Sequence, residues 1–73
     1  MAKLPLISGK RAIDAFGKAG WVVVRQSSSH VVLKKPGYRL ILTIPLHKEL
    51  DRGLLRHQVR VAGLSVDEFC SLL

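Results

Sequence analysis

The sequence predicts an α+β fold with the order α-β-β-β-α, in which helices cover one face of a three-stranded antiparallel sheet. Two segments with helical spacing of apolar residues flank a central stretch that is rich in β-branched residues. Three serines and a Pro-Gly pair divide that stretch into strands, and connections this short join antiparallel neighbours. A short helical extension follows at the C-terminus. At 73 residues, we expect one small domain over residues 1–73.

The first helix is predicted over residues 9–19. Ser8 is a good N-cap, and Gly20 is suited to the position just after the helix. Gly17 costs roughly 1 kcal/mol relative to Ala inside a helix, so we expect it to permit a close approach to the sheet. The apolar stripe of this helix consists of Ala12, Ile13, Phe16 and Ala19.

Three strands are predicted over residues 21–26, 30–35 and 38–44. The serines at 27–29 form the first turn, and Pro36-Gly37 forms the second, because Pro fixes φ and Gly tolerates a positive φ. Pairing around the second turn places two residue pairs on the helix-covered side, Leu33 opposite Leu40 and Val31 opposite Leu42.

The opposite face of the sheet then receives His30, Val32 and Lys34, facing Thr43, Ile41 and Arg39. Lys34 opposite Arg39 is a like-charge pair that a bound phosphate would stabilise, unless both side chains extend into water. Val32, Ile41 and one valine of the first strand form an apolar stripe, which favours a partner protein docked over this face. The register of the first strand stays open, since a two- or four-residue serine loop adds Trp21, Val23 and Arg25 to this face, and a three-residue loop adds Val22, Val24 and Gln26.

The second helix is predicted over residues 52–62, with Asp51 as its N-cap and Gly63 at its end. Its buried face consists of Leu54, Leu55, Val59 and Ala62. Ser65 and Glu68 form a capping box that starts the last helical turns.

Charge and cysteine usage limit the classes of function. Twelve Lys and Arg against five Asp and Glu give a net charge of +7, which favours nucleic acid or an acidic protein as partner, against a merely solvated surface. The lone Cys70 fits a reducing compartment. The chain has no signal-peptide pattern and no apolar run long enough to span a bilayer, so we expect a cytoplasmic protein without membrane contact.

Three histidines are candidates for chemistry. His57 is predicted on the surface of the second helix, and His47 in a loop where a secondary binding role is open. His30 stands where a turn becomes a strand, beside hydroxyls and near cations, although a single histidine in a strand is more often structural. There is no His-x-x-x-His or Cys-x-x-Cys pair, so neither a metal nor another cofactor is predicted.

Metal-free RNA cleavage needs only a base for the ribose 2′-hydroxyl and a cation for the phosphate oxygens. Histidine titrates nearest to neutral pH, and His30 is therefore the predicted catalytic residue. The predicted RNA-binding residues are the turn serines Ser28 and Ser29 and the cations Arg25, Lys34, Lys35 and Arg39.

Several segments resemble one family in their order and spacing. They are Lys18-Ala19-Gly20-Trp21, Arg25-Gln26-Ser27-Ser28-Ser29-His30, Thr43-Ile44-Pro45-Leu46-His47, Glu49-Leu50, Gly53-Leu54-Leu55-Arg56, Ala62-Gly63-Leu64-Ser65 and Glu68-Phe69. The chain in this respect is similar to the HicA toxins, the mRNA interferases of toxin–antitoxin pairs. The resemblance implies a double-stranded-RNA-binding-like fold, endoribonuclease activity with one essential histidine at His30, and a HicB-like antitoxin that covers the active face.

The chain departs from that family pattern in the turn before the histidine, which usually contains Gly. Ser27, Ser28 and Ser29 stand there instead, and we expect a weak enzyme if the turn requires a positive φ. Two other functions remain open. One is a non-catalytic RNA-binding module of the same fold, and the other is a basic interaction protein for an acidic partner.

Overall fold

The computed structural model describes residues 3–73, which form three helices and three strands. Along the chain these are α1 (Gly9–Lys18), β1 (Val22–Gln26), β2 (His30–Lys34), β3 (Leu42–Pro45), α2 (Arg52–Val61) and α3 (Val66–Ser71). The predicted α-β-β-β-α order and the C-terminal helical extension are confirmed. No helix in this part of the chain has the length and hydrophobicity that crossing a membrane requires.

The three helices begin where the sequence places their caps. The Ser8 side chain accepts a hydrogen bond from the Arg11 amide at 3.1 Å, and a carboxylate oxygen of Asp51 accepts one from the Leu54 amide at 3.0 Å. The α3 capping box is complete, because Ser65 and Glu68 each accept from the other's backbone N–H. Each of these bonds satisfies a backbone donor that a helix N-terminus otherwise leaves unpaired.

The core lies between the helices and one face of the sheet. The strands are ordered β1-β2-β3, and both neighbouring pairs are antiparallel. Phe16 of α1 packs on Phe69 of α3 with ring centroids 4.9 Å apart, and both are fully buried. The sheet contributes the buried side chains of Val31, Leu33, Leu42 and Ile44.

The third strand is shorter than predicted, and its register is different. It begins at Leu42, so Leu33 faces Leu42 and not Leu40, and Val31 faces Ile44 and not Leu42. The physical reason is the position of Tyr38, whose ring packs against Trp21 at 5.4 Å and lies under the Lys35 ammonium. These contacts take residues 35–41 out of the ladder. A shift of two residues leaves Leu42, Thr43 and Ile44 on their predicted faces. Leu40, predicted on the helix-covered side, is instead 60% exposed, and the predicted Lys34–Arg39 pair does not form.

The first strand contains a bulge, so neither of its two predicted registers holds throughout. Val22 faces Lys34 and Val23 faces Leu33, but beyond the irregularity Arg25 faces Val32. A bulge puts one extra residue into one strand of a pair. Val22 and Arg25 therefore both lie on the sheet face that the helices leave open, although they are three positions apart.

The helices cover β2 and β3 more than β1. Both α1 and α2 pack against β3, and the Gln58 side chain of α2 accepts a hydrogen bond from the Thr43 amide at 3.3 Å. All five residues of β1 are exposed, including Val22 at 57% and Val24 at 54%. β1 thus projects beyond the helical layer, and its apolar side chains have little cover.

The close approach between helix and sheet occurs at Gly9, and the expectation for Gly17 is wrong. A Cβ atom on Gly17 would meet nothing within 4 Å, whereas one on Gly9 would overlap the carbonyl oxygen of Pro45. The Gly9 amide also donates to the carbonyl of His47 at 2.9 Å. The N-terminus of α1 is therefore docked directly on the end of β3.

Candidate active site

The turn between β1 and β2 is organised by the side chain of Ser27. Its hydroxyl oxygen accepts hydrogen bonds from the backbone amides of His30 at 3.1 Å and Ser29 at 3.4 Å, and it lies 3.3 Å from the His30 carbonyl. The Ser27 amide donates to that same carbonyl at 2.9 Å. Serine hydroxyls commonly stabilise turns in this way.

The turn needs no glycine. Among residues 3–73, a positive φ occurs only at Gly20, Gly37 and Gly63. The three serines therefore adopt ordinary backbone conformations. The condition for expecting a weak enzyme, a positive φ in this turn, is therefore not met.

The backbone at His30 is fixed by the serine turn on one side of β2 and by β3 on the other. His30 is the first residue of the strand and faces Pro45 of β3, and the Leu46 amide donates to the Ser29 carbonyl at 2.8 Å. Pro45 is in turn the residue on which Gly9 of α1 is docked. A chain of backbone contacts thus links the start of the first helix to the histidine.

The imidazole of His30 is exposed, and one of its two nitrogens already has a partner. The hydroxyl oxygen of Ser29 lies 2.9 Å from Nδ1, which leaves Nε2 free to meet a ligand. In the tautomer with its proton on Nδ1, the ring donates to Ser29 and presents a lone pair at Nε2. This is the form that can remove a proton from a substrate hydroxyl.

Ser28 occupies the tip of the turn. Its side chain is exposed, and within the described chain it makes no hydrogen bond. The three serines therefore have different contacts. Ser27 hydrogen bonds to the backbone of the turn, Ser29 contacts the imidazole, and Ser28 is exposed to solvent.

Of the predicted cations, the structure brings only Arg25 close to His30. Arg25 faces Val32, which is two residues from His30 on the same sheet face. Such diagonal neighbours are roughly 7–8 Å apart at their Cα atoms, within reach of a long side chain. Lys34 shares the face but is four residues along the strand, roughly 13 Å away at 3.3–3.4 Å per residue.

The remaining predicted cations lie still farther from the turn. Lys35 has its ammonium 5.0 Å from the centroid of the Tyr38 ring, and Arg39 is exposed in the connection between β2 and β3. Lys34, Lys35 and Arg39 therefore belong to the opposite end of the sheet from His30. Of the four predicted cations, only Arg25 is therefore in a position to act beside His30, and the RNA-binding role of the other three stays a prediction.

Two cations that the sequence did not single out lie closer to the turn. Lys10 and Lys48 line a groove with Leu46 and His47, and Leu46 is the residue whose amide bonds to Ser29. Only the pairing of β3 with the turn brings these positions together, so no local pattern could have revealed them. His47 is exposed in this groove, which is consistent with the secondary role considered above.

His57 is exposed on α2, an element that packs against β3 and α3. In the stretch from residue 3 to residue 73, no three His, Cys, Asp or Glu side chains are grouped so that they could hold a metal ion.

The chain matches a known protein family over most of its length. A family model described as the HicA toxin of bacterial toxin–antitoxin matches residues 9–64, which is most of the chain and includes the whole of the serine turn and His30. A comparison with curated proteins finds no significant match.

Proposed function

The chain belongs to the HicA family of bacterial toxins, and on that premise we propose that it is a metal-independent endoribonuclease that cleaves mRNA in the cytoplasm. The observation that carries the proposal is the imidazole of His30, which is exposed, hydrogen bonded at Nδ1 and free at Nε2. This is the arrangement that a single-histidine base requires.

In the proposed reaction, Nε2 of His30 takes the proton from a ribose 2′-hydroxyl. The 2′-oxygen attacks the adjacent phosphorus, a new P–O2′ bond forms, and the bond to the 5′-oxygen of the next nucleotide breaks. The leaving 5′-oxygen takes up a proton from water, and His30 gives its proton back to the hydroxide that remains, so the products are a 2′,3′-cyclic phosphate and a 5′-hydroxyl. No metal or redox step is needed for this balance.

The positive charge of the site supports binding of the RNA backbone. Arg25 is the predicted cation nearest to His30, and we propose that it stabilises the charge on the phosphate oxygens as the new bond forms. We propose that Lys10 and Lys48, which line a groove with Leu46 beside the turn, contact a neighbouring phosphate. Ser28, at the exposed tip, is proposed to contact the RNA directly.

A toxin of this family implies a cognate antitoxin, and we propose a HicB-like protein that covers the open sheet face and His30. The support is the apolar surface that the helices leave uncovered on the sheet face of His30 and in the connection between β2 and β3. Ile41 is 47% exposed, and Val22 is 57% exposed. Surfaces of this kind in a small protein commonly mark protein contacts.

The test of the nuclease is RNA cleavage in the presence of EDTA by the wild type and by His30→Ala. We expect the wild type to cut RNA, and the variant to be slower by about 10²–10⁴-fold, the usual contribution of a general base. Circular dichroism of both proteins checks that the substitution leaves the fold intact.

His57→Ala is the matched control, because it removes an exposed imidazole from α2 and should leave cleavage unchanged. Equal rates for His30→Ala and the wild type would refute the assignment. If neither protein cuts RNA but both bind it with a steep salt dependence, the function is that of a non-catalytic RNA-binding module.

A further inference from the structure

A groove lies at the end of the sheet opposite to the serine turn. It has a volume of about 390 Å³, within the range of ligand-binding clefts. Its apolar lining comes from Val22 and Val24 of β1 and from Tyr38 in the following connection. Lys34 and Lys35 complete the walls together with the Pro36-Gly37 turn.

The charged side chains of this groove are all positive. Within the described chain its lining includes two lysines and no carboxylate, in a protein of net charge +7. The apolar surface also continues beyond it, since Leu40 is 60% exposed and Ile41 is 47% exposed in the same connection. An occupant that matches both properties carries apolar side chains together with acidic ones.

The groove is poorly suited to nucleobases. Single-stranded RNA is usually bound by stacking its bases on aromatic rings. Tyr38 is the aromatic residue of this groove, and its ring is already occupied by the Lys35 ammonium at 5.0 Å and by Trp21 at 5.4 Å. Valine side chains offer no flat surface for stacking, whereas they pack well against apolar side chains of a protein.

We propose that this groove is the anchoring site for an acidic segment of the cognate antitoxin. An apolar side chain of that segment enters between Val22 and Val24, and a neighbouring carboxylate pairs with Lys34. The groove lies at the end of the open sheet face that is roughly 13 Å from His30 along β2, so the anchor holds the antitoxin at one end of the face while His30 lies at the other. This inference rests on the proposed pairing with an antitoxin and not on nuclease activity.

The test is isothermal titration calorimetry, in which the purified cognate antitoxin is titrated into variants of the full chain and the Kd of each complex is measured. Val24→Asp places a carboxylate in the groove, where it repels an acidic partner. We expect its Kd to rise by about 100-fold, the scale of an interface hot spot. Lys34→Glu should raise the Kd by about tenfold, with a weaker dependence on salt.

Val23→Asp is the matched control, because Val23 is 43% exposed but pairs with Leu33 on the helix-covered face. Its Kd should stay within threefold of the wild type, and thermal melting of all variants checks folding. A Val24→Asp protein that binds as tightly as the wild type, or an equal loss in both Asp variants, overturns the proposal. So does a Val24→Asp protein that loses RNA cleavage but keeps antitoxin binding, which would make the groove an RNA subsite.

The titration is independent of the reaction at His30. If the wild type binds the antitoxin but cuts no RNA, the nuclease proposal fails and the groove is still tested. If the wild type cuts RNA and the antitoxin does not bind, the proposed pairing and the anchoring proposal that rests on it both fail, while the nuclease proposal stands.

Discussion

The two ends of β2 are built in opposite ways. At the His30 end, three serines close a short turn, and the Ser27 hydroxyl and two backbone amides hold it in place. At the Lys34 end, residues 35–41 leave the sheet and expose Leu40 and Ile41 to solvent. The first end is polar and hydrogen bonded, while the second is apolar and open.

This difference corresponds to two physical requirements. A catalytic base must be held within a fraction of an ångström of its working position, which short polar networks achieve. A protein contact depends on apolar area and on matching charge, and a groove with exposed neighbours supplies both. The same short strand therefore carries a hydrogen-bonded side chain suited to the proposed base at one end and an apolar, cationic surface suited to the proposed protein contact at the other.

The largest expected effect on stability comes from a substitution at Gly9, where α1 packs on the residue of β3 that pairs with His30. Gly9→Ala puts a methyl group into the carbonyl oxygen of Pro45, so α1 and β3 must move apart. We expect a loss of about 2 kcal/mol or more in the free energy of unfolding, as for other overpacked sites. Urea denaturation measures it, and RNA cleavage should fall with it because Pro45 is the strand partner of His30.

Gly17→Ala is the control for helix propensity. A Cβ there meets nothing within 4 Å, and replacing Gly by Ala inside a helix stabilises it by about 0.5–1 kcal/mol. The two substitutions should therefore shift the urea midpoint in opposite directions. Equal midpoints for Gly9→Ala and the wild type would mean that α1 is not docked on β3 as described.

Local patterns were sufficient to predict most elements. Ser8, Asp51 and the Ser65–Glu68 box mark the helix starts because a capping side chain acts on amides two or three residues away. The serine turn and the position of His30 at the start of β2 follow from equally local signals.

The errors all come from contacts between distant residues. The start of β3 depends on Tyr38 packing against Trp21, and the register of β1 depends on a bulge that no residue pattern marks. The docking of Gly9 on Pro45 joins positions far apart in the chain. Because the cations were placed through the register of β3, Lys34 and Arg39 were wrongly paired, and the groove that Lys10 and Lys48 line beside the turn was not foreseen.

The second largest expected effect comes from removing a hydrogen-bond acceptor in the serine turn, which should loosen the His30 end of β2 but not the Lys34 end. Ser27→Ala removes the acceptor for the amides of Ser29 and His30. We expect a loss of about 1–2 kcal/mol in the free energy of unfolding, because hydrogen bonds of this kind contribute roughly 1 kcal/mol each. Hydrogen exchange of the His30 amide should become faster, while the amides at the Lys34 end of β2 keep their rates.

Ser28→Ala is the matched control, since Ser28 makes no hydrogen bond within the described chain. Its unfolding free energy should change by less than about 0.5 kcal/mol, as for ordinary surface positions. If both serine variants lose the same stability, the Ser27 hydroxyl is not what holds the turn.

A smaller effect separates the orientation of the imidazole from the stability of the turn. Ser29→Ala removes the partner of His30 Nδ1. We expect kcat/KM for RNA cleavage to fall about tenfold, equivalent to roughly 1.4 kcal/mol. Nitrogen-15 shifts of the imidazole should report a different tautomer ratio, and Ser29→Thr, which keeps the hydroxyl, should restore both values. Activity that is unchanged in Ser29→Ala would show that this contact does not orient the base.

The smallest expected effect concerns Glu68 of α3, which lies outside both ends of β2. It separates the pH dependence of folding stability from the pH dependence of RNA cleavage. Hydrogen bonds from the backbone and the side chain of Ser65 hold the pKa of Glu68 below its ordinary value of 4.5. A carboxylate with a lowered pKa stabilises the folded state above its ordinary pKa, and that contribution is lost as the pH falls through the folded-state value.

Glu68→Gln tests this contribution, because the amide oxygen can still accept from the Ser65 amide but does not titrate. We expect the urea midpoint of the wild type to fall more than that of the variant between pH 5 and pH 3, while the two change in parallel from pH 5 to pH 8. Because the two proteins differ only at residue 68, the difference between their midpoints isolates the contribution of Glu68. A change in cleavage rate above pH 5 that is the same in both proteins then belongs to the site at the serine turn and not to the stability of α3. Divergence of the two midpoints above pH 5 would contradict this assignment.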